Sequence, residues 1–325
     1  MKKTRNARAL ILGAALTILA LLGQAPGAAP AQTALTTVRV AGVLSDELTP
    51  VLYAQKSGLY NRAGLDVQIV PATSGAAVTS AVIAGSIEIG KSSLISLMNA
   101  HLRGVPLVVI GGSGVYDPKN PYAQMVVAAD SPLNSAKDLD GKIIGVPSLN
   151  DLNVLAADLW LDKNGGDSRT VRFVELANST LGAALTEHRA DAAVMTYPFL
   201  ADVLESHQVK PLGAAYSAIA SSFLITCWFV SSDWANKHAD VIRTFIDVTD
   251  KSALYTNGHR AETAPLVAEL TKIPVAVINK MPRSMSSTEL HLSDIQPLID
   301  GSAKYKLIPQ PFPARDLLWS GVSPK

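Results

Sequence analysis

Short runs of Val, Ile and Leu alternate with longer segments of helical period along most of the chain. Val38–Val43 reads as a strand, and the stretch from Leu48 as a helix stopped by Gly58. Val67–Val70 follows Gly64 as a second strand. It runs into Pro71–Gly75, a turn whose Thr73 and Ser74 can cap a helix over Ala76–Ala84. A strand at Ile87–Ile89, a helix over Ser92–Arg103 and a strand at Leu107–Ile110 continue the β-loop-α series. After Gly111–Gly114 the Pro-rich stretch Tyr116–Pro121 breaks it.

A second series then begins, with strands at Gln124–Ala128, Ile143–Val146, Val171–Leu176 and Ala192–Met195 and helices over Leu152–Lys163 and Thr180–Arg189. Strand Phe223–Val230 brings the chain back. From Ser232 the pattern is helical: Asp240–Asn257, Ala261–Leu270, Ser287–Ile299 and a short helix near Ala314, expected to pack on the first domain. Alternating strands and helices of this length predict an α/β fold with largely parallel sheets and flanking helices. The interruption places residues 122–213 as a domain inserted into a discontinuous one, 32–121 with 214–325.

The first tenth of the chain is different. Lys2, Lys3, Arg5 and Arg8 precede an apolar run from Ala9 to Leu22 and a small-residue stretch ending Ala29-Pro30-Ala31. That order is a secretory signal peptide's. The run is about 14 residues, short of the roughly 20 that span a bilayer. Residues 1–31 are therefore expected to direct export to the periplasm, with cleavage near Ala31. The whole chain of 325 residues carries 28 basic and 27 acidic residues; without the leader's four, 24 basic remain against 27 acidic, a net of about −3. With 17% charged and 48% hydrophobic residues, neither a disordered chain nor a basic nucleic-acid binder fits. A single cysteine, Cys227, excludes an internal disulfide and any multi-cysteine metal site, and its apolar strand predicts a buried, inert thiol.

Catalytic patterns are sparse. The six histidines are scattered without metal-binding spacing, and there is no Gly-x-Ser-x-Gly elbow or phosphate-binding loop. Neither cofactor nor metal is expected.

Several stretches together carry a family resemblance. Gly58-Leu59-Tyr60 through Gly64-Leu65-Asp66-Val67, Ala84–Gly90 with Glu88, Asp138–Pro147, and Ala190–Val194 with Pro198 resemble, in order and spacing, the extracytoplasmic solute-binding proteins of nitrate/sulfonate/taurine-class ABC importers, the NMT1/THI5-like group. The resemblance covers roughly Thr36 to Phe199. It implies a two-lobed periplasmic-binding-protein fold of type II, a ligand cleft between lobes joined by two crossing segments, hinge closure, and a monomer that delivers its ligand to a membrane permease with its ATPase. A thiamine-pyrimidine synthase-like enzyme, or a receptor for a non-ABC transporter or sensor, are the alternatives on the same fold. Glu88 and Asp191 are expected to anchor backbone amides, and Gly64 and Gly141 to supply turn conformations.

In open α/β sheets ligands lie beyond the carboxyl ends of strands, where loops and helix N-termini present free amides. Those positions give Ser45, Ser74, Gly75, Ser92, Ser93 and Tyr116 in the first lobe and Ser148, Asn150, Thr196 and Tyr197 in the second as candidate ligand-binding residues. Hydroxyls at predicted helix starts suit a sulfonate, a carboxylate or another small oxyanion, although an ordinary N-cap is the other reading of each Ser. Asp46 and Glu47 would place acid at the cleft mouth. The two tyrosines could stack on a planar ligand, which points to an aromatic or heterocyclic acid.

Overall fold

A computed structural model describes residues 34–325; the leader, 1–31, lies outside the described residues. The chain begins with β1 (Thr36–Val43), α1 (Thr49–Lys56), α2 (Leu59–Arg62), β2 (Leu65–Ala72), α3 (Gly75–Ile83), β3 (Ile89–Ser92), α4 (Leu94–Leu102) and β4 (Leu107–Tyr116). There follow β5 (Ala123–Ala128), β6 (Ile143–Val146), α5 (Leu152–Lys163), β7 (Arg172–Glu175), α6 (Leu181–Thr186), β8 (Ala192–Thr196), α7 (Phe199–Glu205) and β9 (Val209–Ala214). The return comprises β10 (Phe223–Ser231), α8 (Ser232–Lys237), α9 (Ala239–Gly258), α10 (Arg260–Thr271), α11 (Val275–Ile278), β11 (Met285–Ser286) and α12 (Gln296–Lys304).

Two mixed sheets result, ordered β11-β4-β10-β3-β1-β2 and β7-β6-β8-β5-β9. Within each, the β-loop-α units pair in parallel: β1 with β2 and β3, and β6 with β7 and β8. The strands that flank the crossings run the other way, β10 against β3 and β4, and β5 against β8 and β9. The chain passes between sheets twice, through 117–122 and 215–222.

The first sheet is covered on both faces. Val38 and Val40 of β1 pack with Trp228, Val230 and Phe245 on one side, while Ala41 joins Val78, Leu94 and Phe229 on the other. Each such fully buried aliphatic side chain contributes about 1.5–3 kcal/mol. The two sheets are entered alike. Glu88, just before β3, accepts from the Arg39 amide of β1 at 2.7 Å, and Asp191, just before β8, accepts from the Ile143 amide of β6 at 2.8 Å. Both acids thus hold the start of a neighbouring strand, as expected. Gly64 and Gly141 sit at φ +86° and +74°, where a β-carbon would be strained.

Three sequence expectations change. The strand expected over Leu107–Ile110 runs on through Gly111–Gly114 to Tyr116 as β4, where glycine lets neighbours close in rather than turning the chain. A β-carbon on Gly112 would stand 2.4 Å from Ser287 Oγ, and one on Gly111 2.7 Å from Ile246 Cδ1. The helix expected over Ser287–Ile299 starts only at Gln296, with Pro297 in its first turn, and the segment before it pairs with β4 through β11. The helical tail also does more than cover the first sheet. Helix α9 packs there, with the Phe245 ring 5.6 Å from that of Tyr60. Farther on, Lys280 pairs with Glu205 at the end of α7 at 3.1 Å, and Tyr305 donates to Asp162 of α5 at 2.8 Å, so the segments closing α11 and α12 reach the second sheet's helices.

One acid in this framework opposes folding. Asp158 on α5 is 8% exposed, and burial, reinforced by the charge of Asp162, pushes its carboxyl up to about 7. An acid raised in the folded state favours folding while protonated and loses that contribution as pH climbs from the unfolded value through the folded one. Asp158→Asn is therefore expected to stabilise the protein by on the order of 1–3 kcal/mol at about pH 8, and by little near pH 4. Urea unfolding at the two pH values measures it; an equal effect at both would show that Asp158 is not the titrating group.

Candidate functional site

Between the two sheets lies a cleft of about 720 Å³, counting its open mouth. The first sheet supplies the ends of its strands. β1 runs out through Val43 and Leu44 into Ser45 and Glu47, β2 into Thr73 and Ser74, and β3 ends on Lys91 and Ser92. Opposite stand Ser148, Asp151 and Asn153 at the start of α5, with Asn178 and Thr196 beside them. Tyr122 and Tyr216 enter from the two crossing segments.

The floor is a buried ion pair. Lys91 and Glu47 are each 2% exposed, with Nζ 3.4 Å from Oε2, and the same ammonium donates to Ser45 Oγ at 2.7 Å. Burial pushes the Glu47 carboxyl up, but the Lys91 charge and hydrogen bonds from Ser45 and Tyr122 outweigh it and hold the group below its ordinary value. Two glycines make room for the pair. A β-carbon on Gly42 would meet Lys91 Cβ and Cε at 3.3 Å, and one on Gly114 would lie 2.5 Å from Glu47 Cγ. The Tyr122 and Tyr216 phenols are pushed well above their ordinary values by burial and by nearby carboxylates, and so remain neutral hydrogen-bonding groups.

The neighbouring acid, Asp46, is also buried, at 2% exposure, behind the floor. Arg283 Nε donates to its Oδ1 at 2.7 Å and the Ser284 amide to its Oδ2 at 2.8 Å. Asp46 and Glu47 are thus interior, paired groups, which corrects the expectation of acid at the cleft mouth. Across the cleft, Asp151 caps α5, accepting from the Leu152 amide at 2.7 Å and from the Ser93 hydroxyl. Ser148, expected at a helix start, stands three residues ahead of that cap.

Seven of the ten candidate residues line this cleft: Ser45, Ser74, Gly75, Ser92 and Ser93 from one side, Ser148 and Thr196 from the other. Ser74 also accepts from the Ala77 amide as the N-cap of α3. Tyr116, Asn150 and Tyr197 stand outside the lining. Tyr116 is 2% exposed and stacks on Phe223 at 5.0 Å, because the last residue of β4 pairs with the first of β10. Asn150 is exposed, one residue before the cap of α5, and Tyr197 turns toward Val277 and Met281 in a separate surface hollow. Lys91, Tyr122, Asp151, Asn153, Asn178, Tyr216 and Thr226 are cleft residues outside the ten candidates. The glycines at 42 and 114 were the available signal for the first, since a strand Gly often marks a close approach.

Three buried polar atoms in the cleft have no hydrogen-bond partner: Ser92 Oγ, Asn178 Oδ1 and Thr226 Oγ1. No histidine or cysteine lines it. Cys227 lies fully buried in β10, and burial pushes its thiol well above the ordinary value, so it stays protonated. Among the described residues no cluster of His, Cys, Asp and Glu is arranged to hold a metal, and no helix is long and apolar enough to cross a membrane.

Residues 45–263 match the profile of the family described as NMT1/THI5 like. The chain belongs to the NMT1/THI5-like family. Curated relatives of this NMT1/THI5-like protein include a putative binding protein of Brucella abortus, 23% identical over 241 residues and 73% of each chain. A second is the 4-amino-5-hydroxymethyl-2-methylpyrimidine phosphate synthase of Schizosaccharomyces pombe, 29% identical over 96 residues; that match spans 30% of this chain and 27% of the enzyme. Among solved structures, the periplasmic aliphatic sulphonate binding protein SsuA from Escherichia coli superposes with a TM-score of 0.71 at 18% identity, covering 87% of this chain and 97% of that one. The alkanesulfonate-binding SsuA of Xanthomonas axonopodis, bound to MOPS, gives 0.72 at 19% identity over 88% and 99%. The periplasmic nitrate-binding protein NrtA of Synechocystis gives 0.72 at 11% identity over 85% and 83%. At these identities the likeness establishes the fold: the NMT1/THI5-like chain has the periplasmic-binding-protein architecture, and these structural neighbours are binding proteins.

Proposed function

We propose that this protein is the extracytoplasmic substrate-binding component of an ABC-type importer, which captures a small organic ligand in the cleft and closes around it. The observation that carries this reading is the placement of the cleft. Strand ends of both sheets and both crossing segments line it, so rotation about 117–122 and 215–222 would open or bury everything within it. Its mix of hydroxyls, amides and two phenols suits hydrogen bonding to a small organic ligand. The seven lining residues named from sequence are the proposed contacts, with Lys91, Tyr122, Asp151, Asn153, Asn178 and Tyr216 added. The basic-apolar-small order of residues 1–31 supports export to the periplasm, and a monomer working with a permease and its ATPase is the proposed assembly.

No histidine or cysteine lines the cleft, and Lys91, the amine beside Ser45, is held in an ion pair with Glu47, which favours binding over turnover. Thermal unfolding of the pure protein against a panel of small organic molecules tests the reading, since a ligand at 100 times its Kd adds about 2.7 kcal/mol. A true ligand is expected to raise Tm and to compact the molecule in small-angle scattering. Chemical conversion of such a ligand by the pure protein, or stabilisation without compaction, would count against a closing receptor.

A further inference from the structure

The solved relatives named for their ligands bind anions, sulfonates or nitrate. The charges around this cleft favour the opposite sign. Its ionisable side chains, apart from the two phenols, are Lys91, Glu47 and Asp151. The Lys91 charge is already engaged, buried against Glu47 and Ser45. Asp151 has no such partner. Its carboxyl takes up the Leu152 amide and the Ser93 hydroxyl; burial pushes it above its ordinary value, and the negative charges of Glu175 and Glu47 add to the rise. The cleft therefore carries one carboxyl with no cationic partner, which a bound cation would hold in its charged form.

The places where an oxyanion might dock are also taken. A helix N-terminus attracts negative charge, but the 12-residue α5 meets the cleft with Asp151 already on its first amide, and Ser74 caps α3. Asn178 directs a buried, unpartnered amide oxygen into the cleft, while its nitrogen is engaged with Thr196 Oγ1 at 2.9 Å. A carbonyl oxygen only accepts hydrogen bonds. Ser92, 4% exposed, and Thr226 add hydroxyls that can accept as well as donate. A carboxylate without a counter-charge and an amide oxygen without a donor both call for N–H groups on the ligand.

Resting on the binding-protein reading, we propose that the cleft takes a small organic cation bearing N–H donors, such as an amidine, a guanidine or a protonated aminoheterocycle, with Asp151 as its ionic anchor. Lys91 is the cleft's floor and not its anion receptor. The ring faces of Tyr122 and Tyr216 offer a planar cation its apolar contact.

Matched probes that differ in charge but little in shape test this. Benzamidinium, benzamide and benzoate, with the corresponding triplets on pyridine and pyrimidine rings, are titrated into the full-length mature protein at millimolar concentration by calorimetry. The cation is expected to bind about 10- to 100-fold tighter than its carboxylate counterpart. Asp151→Asn keeps a good N-cap and removes a carboxyl whose charge burial disfavours, so it is expected to hold or raise Tm while removing most of that preference. Tighter binding of the carboxylates, equal binding across each triplet, an unchanged preference in Asp151→Asn, or no binding by any cation would each overturn the proposal. If carboxylates or alkanesulfonates bind and the molecule compacts, the importer reading stands and only the charge assignment fails. If the protein converts a probe, the importer reading itself fails.

Discussion

Lys91→Ala is expected to destabilise the protein by about 3–5 kcal/mol, because it leaves Glu47 buried without a counter-charge. The pair is 2% exposed on both sides, so neither group can turn to water in place. Lys91→Met keeps most of the stem over Gly42 but strands the same carboxylate, and should lose a similar amount. The double variant Lys91→Met/Glu47→Gln, which removes both charges, should regain much of it. The pH dependence follows from the lowered Glu47 carboxyl. A group depressed in the folded state contributes stability above its unfolded value and loses it as pH falls through the folded one. The gap between wild type and Lys91→Ala should therefore narrow as pH falls, beginning where the unpaired, buried Glu47 of the variant takes up its proton, above the ordinary carboxylate range, and closing below that range where the wild-type group does so. Urea unfolding at neutral and acid pH reads both quantities. A gap under about 1 kcal/mol at neutral pH would place the pair among solvent-screened bridges, contrary to its burial.

Arg283→Ala should cost a comparable 3–5 kcal/mol by the same mechanism, but with a different signature. Arg283 reaches Asp46, Thr49 Oγ1 at 3.2 Å and the Arg260 carbonyl at 3.1 Å, and so ties the segment before β11 to the start of α1 and of α10. It does not line the cleft. The folded fraction of Arg283→Ala is accordingly expected to bind ligand as the wild type does, whereas Lys91→Ala should lose affinity as well as stability. Arg283→Lys retains the charge without the planar fork and should recover only part of the loss. Denaturant melts paired with calorimetry on the folded protein separate the two cases. Loss of affinity in Arg283→Ala beyond the unfolded fraction would mean that Asp46 shapes the cleft.

The β-loop-α units and their sheet class were legible because periodicity and turn residues state them locally: Ile143–Val146 and Leu152–Lys163 appear where the pattern predicts them. Seven cleft residues were legible for a related reason, since residues after strand ends face the cleft whatever their identity. The remainder depends on partners distant in sequence. Lys91 and Glu47 are 44 positions apart, and Asp46 and Arg283 are 237 apart, so nothing local marks either acid as buried. Tyr116 and Tyr197 carry the composition of ligand-stacking residues, but Tyr116 is packed into the aromatic cluster of the crossings and Tyr197 faces the tail. The helix-start positions of the serines suit an oxyanion, whereas the cap of α5 is Asp151, a residue that the sequence pattern did not mark and on which the proposed preference for a cation rests.

The glycines beneath the ion pair have a consequence for how this sequence can vary. Gly42 accommodates the Lys91 stem and Gly114 that of Glu47, so a β-carbon at 114 collides with a buried side chain, and one at 42 presses on the Lys91 stem at 3.3 Å and leaves no room for anything larger. Shortening only one partner to relieve the collision strands the other's charge. Positions 42, 47, 91 and 114 are thus one heritable unit. A descendant that exchanges the pair for apolar residues would first have to pass through an intermediate less stable than either end, and libraries that randomise these sites singly should recover almost nothing but the parent.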